Sequence, residues 1–242
     1  TGSGKTTTLY AALLELRTEA INITTVEDPV EYQIPRLNQV QVNERKQVTF
    51  ARALRSFLRQ DPDVIMVGEV RDNDTAEMAV RAALTGHLVF STIHANDAPS
   101  TATRLVSMGV EPFMAASALT IVAAQRLVRR TCGHCAREYR PADELLLALG
   151  LPADADPPTP YRRGTGCAVC RGRGFLGRIA IVERMAMTPG LRQLVADNRP
   201  AGEIRRLAIQ QGMSTLRDSG LEKARQGVTT VEEVLRVCMS DE

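Results

Sequence analysis

The first residues of the chain constrain its fold more than any other stretch. Thr1-Gly2-Ser3-Gly4-Lys5-Thr6 reproduces the last six positions of the phosphate-loop pattern G-x-x-x-x-G-K-[ST]. Gly2 and Gly4 let backbone N–H groups converge on phosphate oxygens, Lys5 reaches the β/γ oxygens, and Thr6 can ligate Mg²⁺. Such a loop runs into a helix whose N-terminus faces the anion. Thr6 to Thr18 supplies that helix, with Leu9, Leu13 and Leu14 on one face. Gly2, Ser3, Gly4, Lys5, Thr6 and Thr7 are therefore the candidate nucleotide contacts. A phosphate loop hangs from a buried strand, so the chain is expected to be a fragment of a longer protein, with that strand upstream of Thr1.

Three later segments repeat one design, an apolar run that ends abruptly in polar residues. Ile21 to Val26 is rich in β-branched residues and stops at Glu27-Asp28-Pro29, which reads as a buried strand delivering two carboxylates to a sheet edge. Val64 to Val67 ends in Gly68-Glu69-Val70-Arg71-Asp72. This is similar to a Walker B strand with Gly68 where an Mg²⁺-ligating Asp usually stands, so Glu69 must act alone or through a metal-bound water. Asp74 or Thr75 is expected to start a helix running through Ala83. The third segment, Thr85 to Asp97, ends at His94, which could contact or sense a γ-phosphate from the same edge, while His87 at its start is less favourably placed. Glu27, Glu69 and His94 are the candidate catalytic residues.

Thirty basic against 28 acidic residues leave a net charge of +2, which argues against a dedicated nucleic-acid binder. Aromatic residues are 4% of the chain and Trp is absent, so the core is expected to be aliphatic, as suits helices on a sheet. No secretory leader is visible at Thr1. The most apolar stretch, Met114 to Val128, is interrupted by Ser117, Thr120, Gln125 and Arg126, falls short of a membrane span, and reads as a core helix.

Four of the five cysteines form two C-x-x-C knuckles, Cys132/Cys135 and Cys167/Cys170, separated by 31 residues. That exceeds the roughly 15–20 residues usual in a zinc ribbon but is compatible with one tetrahedral Cys₄ zinc site. Arg129, Arg130, Arg162, Arg163, Arg171 and Arg173 flank the knuckles and are expected to lower the thiol pKa values and offset the charge of the centre. His134 is read as a spectator and Cys238 as a packing or surface thiol. Between the knuckles, Leu145 to Leu151 suggests a short helix and Pro152 to Pro160 a linker-like loop. Gly174 to Met187 reads as a strand and Pro189 onward as helical. Glu232 and Glu233 against Arg236 have the spacing of ordinary solvated pairs.

The ordered set TGSGKTTTLY, TVEDPVEY (Thr25 to Tyr32), DVIMVGEVRD (Asp63 to Asp72) and TGHLVFSTIHAND (Thr85 to Asp97) resembles the secretion ATPase superfamily, in its type II secretion and type IV pilus assembly branch. Gly212 to Val237 also resembles the end of these proteins. The resemblance implies an α/β, RecA-like P-loop NTPase core over 1–130. A tetracysteine zinc subdomain over 131–176 and a mainly helical subdomain over 177–242 would follow. It implies a cytoplasmic homohexamer that uses ATP and Mg²⁺, holds Zn²⁺, and works at the inner membrane with platform proteins through an N-terminal region absent from this sequence. Glu27 then positions or activates the attacking water, Glu69 is the Walker B acid, and His87 and His94 are the histidine-box positions. A tetracysteine insert is usual in the secretion and pilus-extension ATPases and absent from the retraction ATPases. Secretion leads and pilus extension is the alternative. A small-molecule kinase would need a lid and an acceptor site, and a zinc-ribbon nucleic-acid module is disfavoured by the near-neutral charge.

Overall fold

A computed structural model of the chain describes residues 2–148 and 160–238. Thr1, most of the Pro152 to Pro160 loop and the end of the helix expected at Leu145 to Leu151 lie outside them. The chain forms two compact units, interleaved along the sequence.

The first unit comprises residues 5–122 and 185–211. It contains α1 (Lys5–Leu16), β1 (Ile23–Glu27), β2 (Asn38–Gln41), α2 (Phe50–Phe57), β3 (Val64–Val67), α3 (Asn73–Leu84), β4 (Leu88–Ser91), α4 (Ala98–Ser107) and α5 (Pro112–Ala118). The four strands make one parallel sheet in the order β2-β1-β3-β4, with Glu27 opposite Gln41, Val26 opposite Val67, and Val67 opposite Ser91. In this register β1, β3 and β4 all end at one edge. Every residue of β1 and β3 is buried, as expected of central strands covered on both faces.

Two helices of this unit depart from the sequence reading. In α1 the buried face is centred on Tyr10 and Leu13, packed with Ile23, Val64 and Met66, whereas Leu14 is exposed. Leu14 lies one residue, about 100° of helix, past Leu13. Helix α3 begins at Asn73 because Asp72 is its N-cap, its Oδ1 accepting from Thr75 N at 2.8 Å.

The expected core helix Met114 to Val128 is not formed. Helix α5 stops at Ala118, Leu119 turns extended, and β5 (Ile121–Thr131) follows. Thr120, Ile121 and Val122 are β-branched and favour a strand, which a short apolar run cannot by itself distinguish from a helix. Strand β5 leads into the second unit, whose described part is residues 2–4, 123–148, 160–184 and 212–238. There follow β6 (Ala136–Glu138), α6 (Asp143–Ala148), β7 (Arg162–Gly164) and β8 (Phe175–Ala186), and β8 returns the chain to the first unit. Strands β5 and β8 pair, and β6 and β7 form an antiparallel ribbon. The boundaries at 130 and 176 expected from the sequence fall inside β5 and β8. Helices α7 (Pro189–Ala196) and α8 (Ala201–Gln210) belong to the first unit, and α9 (Leu216–Arg225) and α10 (Val231–Cys238) to the second. There Leu221, Ala224, Val231 and Val234 pack with Leu146 and Tyr161, and Cys238 joins this cluster half-buried.

The Glu232/Glu233 pairs are not the solvated pairs expected. Glu233 is 1% exposed and accepts from Arg129 N and Nε, both at 3.0 Å, and from Arg236 Nε at 3.0 Å. Burial opposes its ionisation, but the Arg236 and Arg129 guanidinia and the Arg129 amide hold the carboxyl down at about 2. Two of the flanking arginines are likewise committed elsewhere, whereas Arg173 Nε donates to Cys170 O at 3.3 Å. Arg129 lies 4.3 Å over the Phe175 ring, while Arg163 pairs with Glu232 and lies 4.5 Å over Tyr139.

Candidate functional site

The phosphate-loop residues adopt the backbone that their glycines permit. Gly2 and Gly4 have φ of +82° and +81°, a region costly for any residue with a Cβ. Ser3 O accepts from Gln125 Nε2 at 2.9 Å, and a Cβ on Gly4 would lie 3.0 Å from that same nitrogen. Gln125 is thus a loop-bracing residue that the sequence reading overlooked, its one signal being an amide inside an apolar run. Lys5 opens α1, Thr6 and Thr7 are exposed, and the first turn of the helix carries no acidic residue to compete with an anion.

At the sheet edge, Glu27 is 2% exposed and accepts three side-chain hydrogen bonds. Its Oε1 accepts from Thr25 Oγ1 at 2.6 Å and from Gln39 Nε2 at 3.1 Å, and its Oε2 from Tyr10 Oη. Burial, then the Glu27 hydrogen bond and charge, push the Tyr10 hydroxyl well above its usual range, so it remains a protonated donor. Tyr10 comes from α1, so the helix that follows the phosphate loop is tied directly to this carboxylate.

Glu69 lies at the end of the neighbouring strand. Arg71 pairs with its Oε1, and His94 Nε2 stands 3.5 Å from its Oε2. The same Arg71 reaches Asp28 at 3.8 Å, and Glu69 raises the pKa of its guanidinium. The structure therefore brings Asp28, Glu69, Arg71 and His94 together. Arg71 was not among the sequence candidates, because nothing local shows that a charged residue after the strand folds back on it. His87 has a different environment, its Nδ1 standing 3.0 Å from Ala82 O at the end of α3.

Gly68 has a steric reason to be glycine. Its N–H donates to Val26 O at 2.8 Å, which draws the ends of β1 and β3 together, and a Cβ there would meet Val26 O at 3.2 Å and Glu27 Cα at 3.3 Å. The position usually held by an acid is pressed against main chain.

The four knuckle cysteines converge. Their sulfurs all lie within 4.8 Å of one another, with Cys132–Cys167 and Cys135–Cys170 at 3.9 Å and Cys167–Cys170 at 3.7 Å. A tetrahedron with metal–sulfur bonds of about 2.3 Å has edges of about 3.8 Å, so the donor set fits one tetrahedral ion. Backbone amides aim at the sulfurs: Gly166 N donates to Cys135, and Cys167 N and Gly174 N donate to Cys170. Burial opposes ionisation of Cys170, but the Cys167 and Gly174 amides pull its thiol down to about 6, whereas burial pushes the Cys135 thiol up to about 11. His134 is exposed between the ligands. Among the described residues no other group of three or more His, Cys, Asp or Glu side chains gathers in this way.

A parallel sheet with carboxylates at adjacent strand ends, a Gly-Ser-Gly-Lys-Thr turn opening a helix, and four converging cysteines define a P-loop α/β protein with an added tetracysteine module. The chain belongs to the type II/IV secretion system protein family, whose model matches residues 1–236. It is 52% identical over 97% of its length to the type IV pilus assembly ATPase PilB of Thermus thermophilus, and spans 26% of that protein. It is also 52% identical over 98% of its length to the type II secretion system protein E of Pseudomonas aeruginosa, and spans 47% of it. The chain thus covers half or less of these relatives. Among solved structures, the pilus retraction motor PilT with bound ADP superposes with a TM-score of 0.71 at 29% identity, covering 97% of this chain and 58% of the other. Among the described residues no helix is long and apolar enough to cross a membrane.

Proposed function

We propose that this chain is the catalytic portion of a cytoplasmic ATPase that converts ATP hydrolysis into assembly of pilin-like subunits at the inner membrane, in a type II secretion machine. The observation that carries the reading is the placement of Glu27 and Glu69 at the ends of adjacent parallel strands, with Glu27 tied through Tyr10 to the helix opened by Lys5. The equal 52% identity to a type IV pilus assembly ATPase favours pilus extension as the second reading.

In this reading Gly2, Ser3, Gly4, Lys5 and Thr7 contact the nucleotide phosphates, and Thr6 would ligate the Mg²⁺ that neutralises them. Glu27, buried and held by three neutral donors, orients or activates the attacking water, and Oε2, which accepts only from Tyr10, keeps a lone pair for a proton. Glu69 is the Walker B acid and His94 its neighbour toward the γ-phosphate. Cys132, Cys135, Cys167 and Cys170 hold Zn²⁺, the ion suited to four thiolates in a closed tetrahedral site, and the role of the centre is structural. The working form is a homohexamer docked on inner-membrane platform proteins, without nucleic acid as a partner.

In the full-length protein, Glu27→Gln is expected to abolish turnover while leaving ATP binding within a few-fold of wild type. Hydrolysis persisting near the wild-type rate would remove Glu27 as the water-activating group. Deletion of the gene should block export of folded proteins under the secretion reading and surface piliation under the second.

A further inference from the structure

We propose that Arg205 is a positioning residue, holding from helix α8 the loop that presents His94 to Glu69. The proposal rests on the ATPase reading above and names a residue that reading does not use. His94 has a weakly held imidazole. Its side chain is 65% exposed, so packing does not fix the imidazole, and its approach to Glu69 at 3.5 Å depends on where the backbone of residues 92–97 runs. That segment has no regular structure of its own.

Its leading end is pinned to the sheet, with Thr92 Oγ1 donating to Gly68 O at 2.8 Å and Val70 N donating to Thr92 O at 2.9 Å. Its trailing end is Asp97. One carboxylate oxygen caps α4 by accepting from Ser100 N at 2.7 Å, and the other pairs with the Arg205 guanidinium. Burial works against the Asp97 charge, yet Ser100 and Arg205 hold the carboxyl below its usual range.

The cap is local and would form in any helix that starts with Asp. The Arg205 contact comes from 108 residues away, on a helix that is itself fixed. Ile204 and Ala208 of α8 are buried, and in the preceding helix Arg192 donates to Ser117 O at 3.1 Å and to Ala116 O, the carbonyl end of α5. Arg205 is 42% exposed, and a solvent-accessible ion pair adds little to stability. Its effect is therefore expected in geometry, by fixing the second end of a loop whose middle carries a side chain with no packing of its own.

The test uses the full-length protein with Arg205→Ala, Arg205→Lys, Asp97→Asn and the Arg205→Ala/Asp97→Asn double variant; asparagine keeps the cap acceptor but loses the charge. Amide exchange of residues 93–97 is measured without nucleotide, and ATP turnover with it. Arg205→Ala should exchange faster at 93–97, lose roughly 10- to 100-fold in kcat with KM for ATP within about twofold, and lose less than about 4 °C of thermal midpoint. Arg205→Lys should recover most of kcat, Asp97→Asn should match Arg205→Ala, and the double variant should be no worse than either single one. Unchanged exchange at 93–97 in Arg205→Ala overturns the proposal. So does a parallel loss of kcat and thermal midpoint that Arg205→Lys does not relieve, the pattern of a merely structural contact. If wild-type protein hydrolyses no ATP, the ATPase reading fails, and the exchange comparison still decides the role of Arg205.

Discussion

Replacing Gly68 puts the steric account of the sheet edge at risk. The added Cβ in Gly68→Ala would sit 3.2 Å from Val26 O and 3.3 Å from Glu27 Cα, against ordinary contact distances of about 3.5–4.0 Å. Neither neighbour is a side-chain tip that can swing away. Both are main-chain atoms of β1, which is hydrogen-bonded to β2 on one side and β3 on the other. The third neighbour, Phe50 Cε1 at 3.7 Å, is in ordinary contact. Overpacking of this kind costs about 1–3 kcal/mol, and loss of glycine's freedom in the unfolded chain offsets about 0.4–1 kcal/mol of it. The difference spans about 0–2.6 kcal/mol, and because both crowded atoms are main chain held from two sides, a destabilisation of about 1–2 kcal/mol is expected. Gly68→Asp, which restores the residue usual in Walker B strands, should be worse, because it adds a charge beside Glu27 and Glu69. Urea unfolding followed by circular dichroism reads both variants, with the midpoint shifting and the slope unchanged. Because the displaced atom is the Glu27 Cα, turnover should fall along with stability. A Gly68→Ala protein within about 0.5 kcal/mol of wild type, or an active Gly68→Asp protein, would refute the close-approach explanation.

Two further outcomes test the second unit. Cys135→Ser should release roughly one zinc per chain and speed proteolysis around residues 129–175, and a metal assay that finds no zinc in the wild type would sink the tetrahedral-site reading. Glu233 has a folded pKa of about 2, below the roughly 4.3 of an unfolded glutamate. Its contribution is therefore complete above about pH 4.5 and is lost as pH falls toward 2. Glu233→Gln should cost about 2–3 kcal/mol at neutral pH and flatten that part of the acid unfolding curve, and an unchanged curve would contradict the double-arginine clamp.

What the sequence made legible was local. Glu27 and Glu69 could be placed at strand ends because each follows a buried-strand run and precedes a turn, and the knuckle spacing brought out the four cysteines that converge. What it hid depends on partners far along the chain. Gly68 was visible as an anomaly, but its cause is the Val26 carbonyl on the neighbouring strand. Glu233 was misread because its spacing to Arg236 imitates a surface pair, whereas the contact that helps bury it comes from Arg129, 104 residues earlier. Strand β5 was misread as helix because Ala-rich and β-branched residues adjoin there, and the choice between them falls to its pairing with β8. The hydrogen bonding of Glu27 was equally invisible, since Tyr10 and Gln39 come from separate elements.

The interleaving of the two units sets how the molecule can be taken apart. The backbone passes from one unit to the other after Gly4, Val122, Arg184 and Gln211. With four covalent crossings, no single cut releases an intact unit. Grafting the tetracysteine module between relatives requires matched junctions within both β5 and β8, together with the returning tail from Gly212.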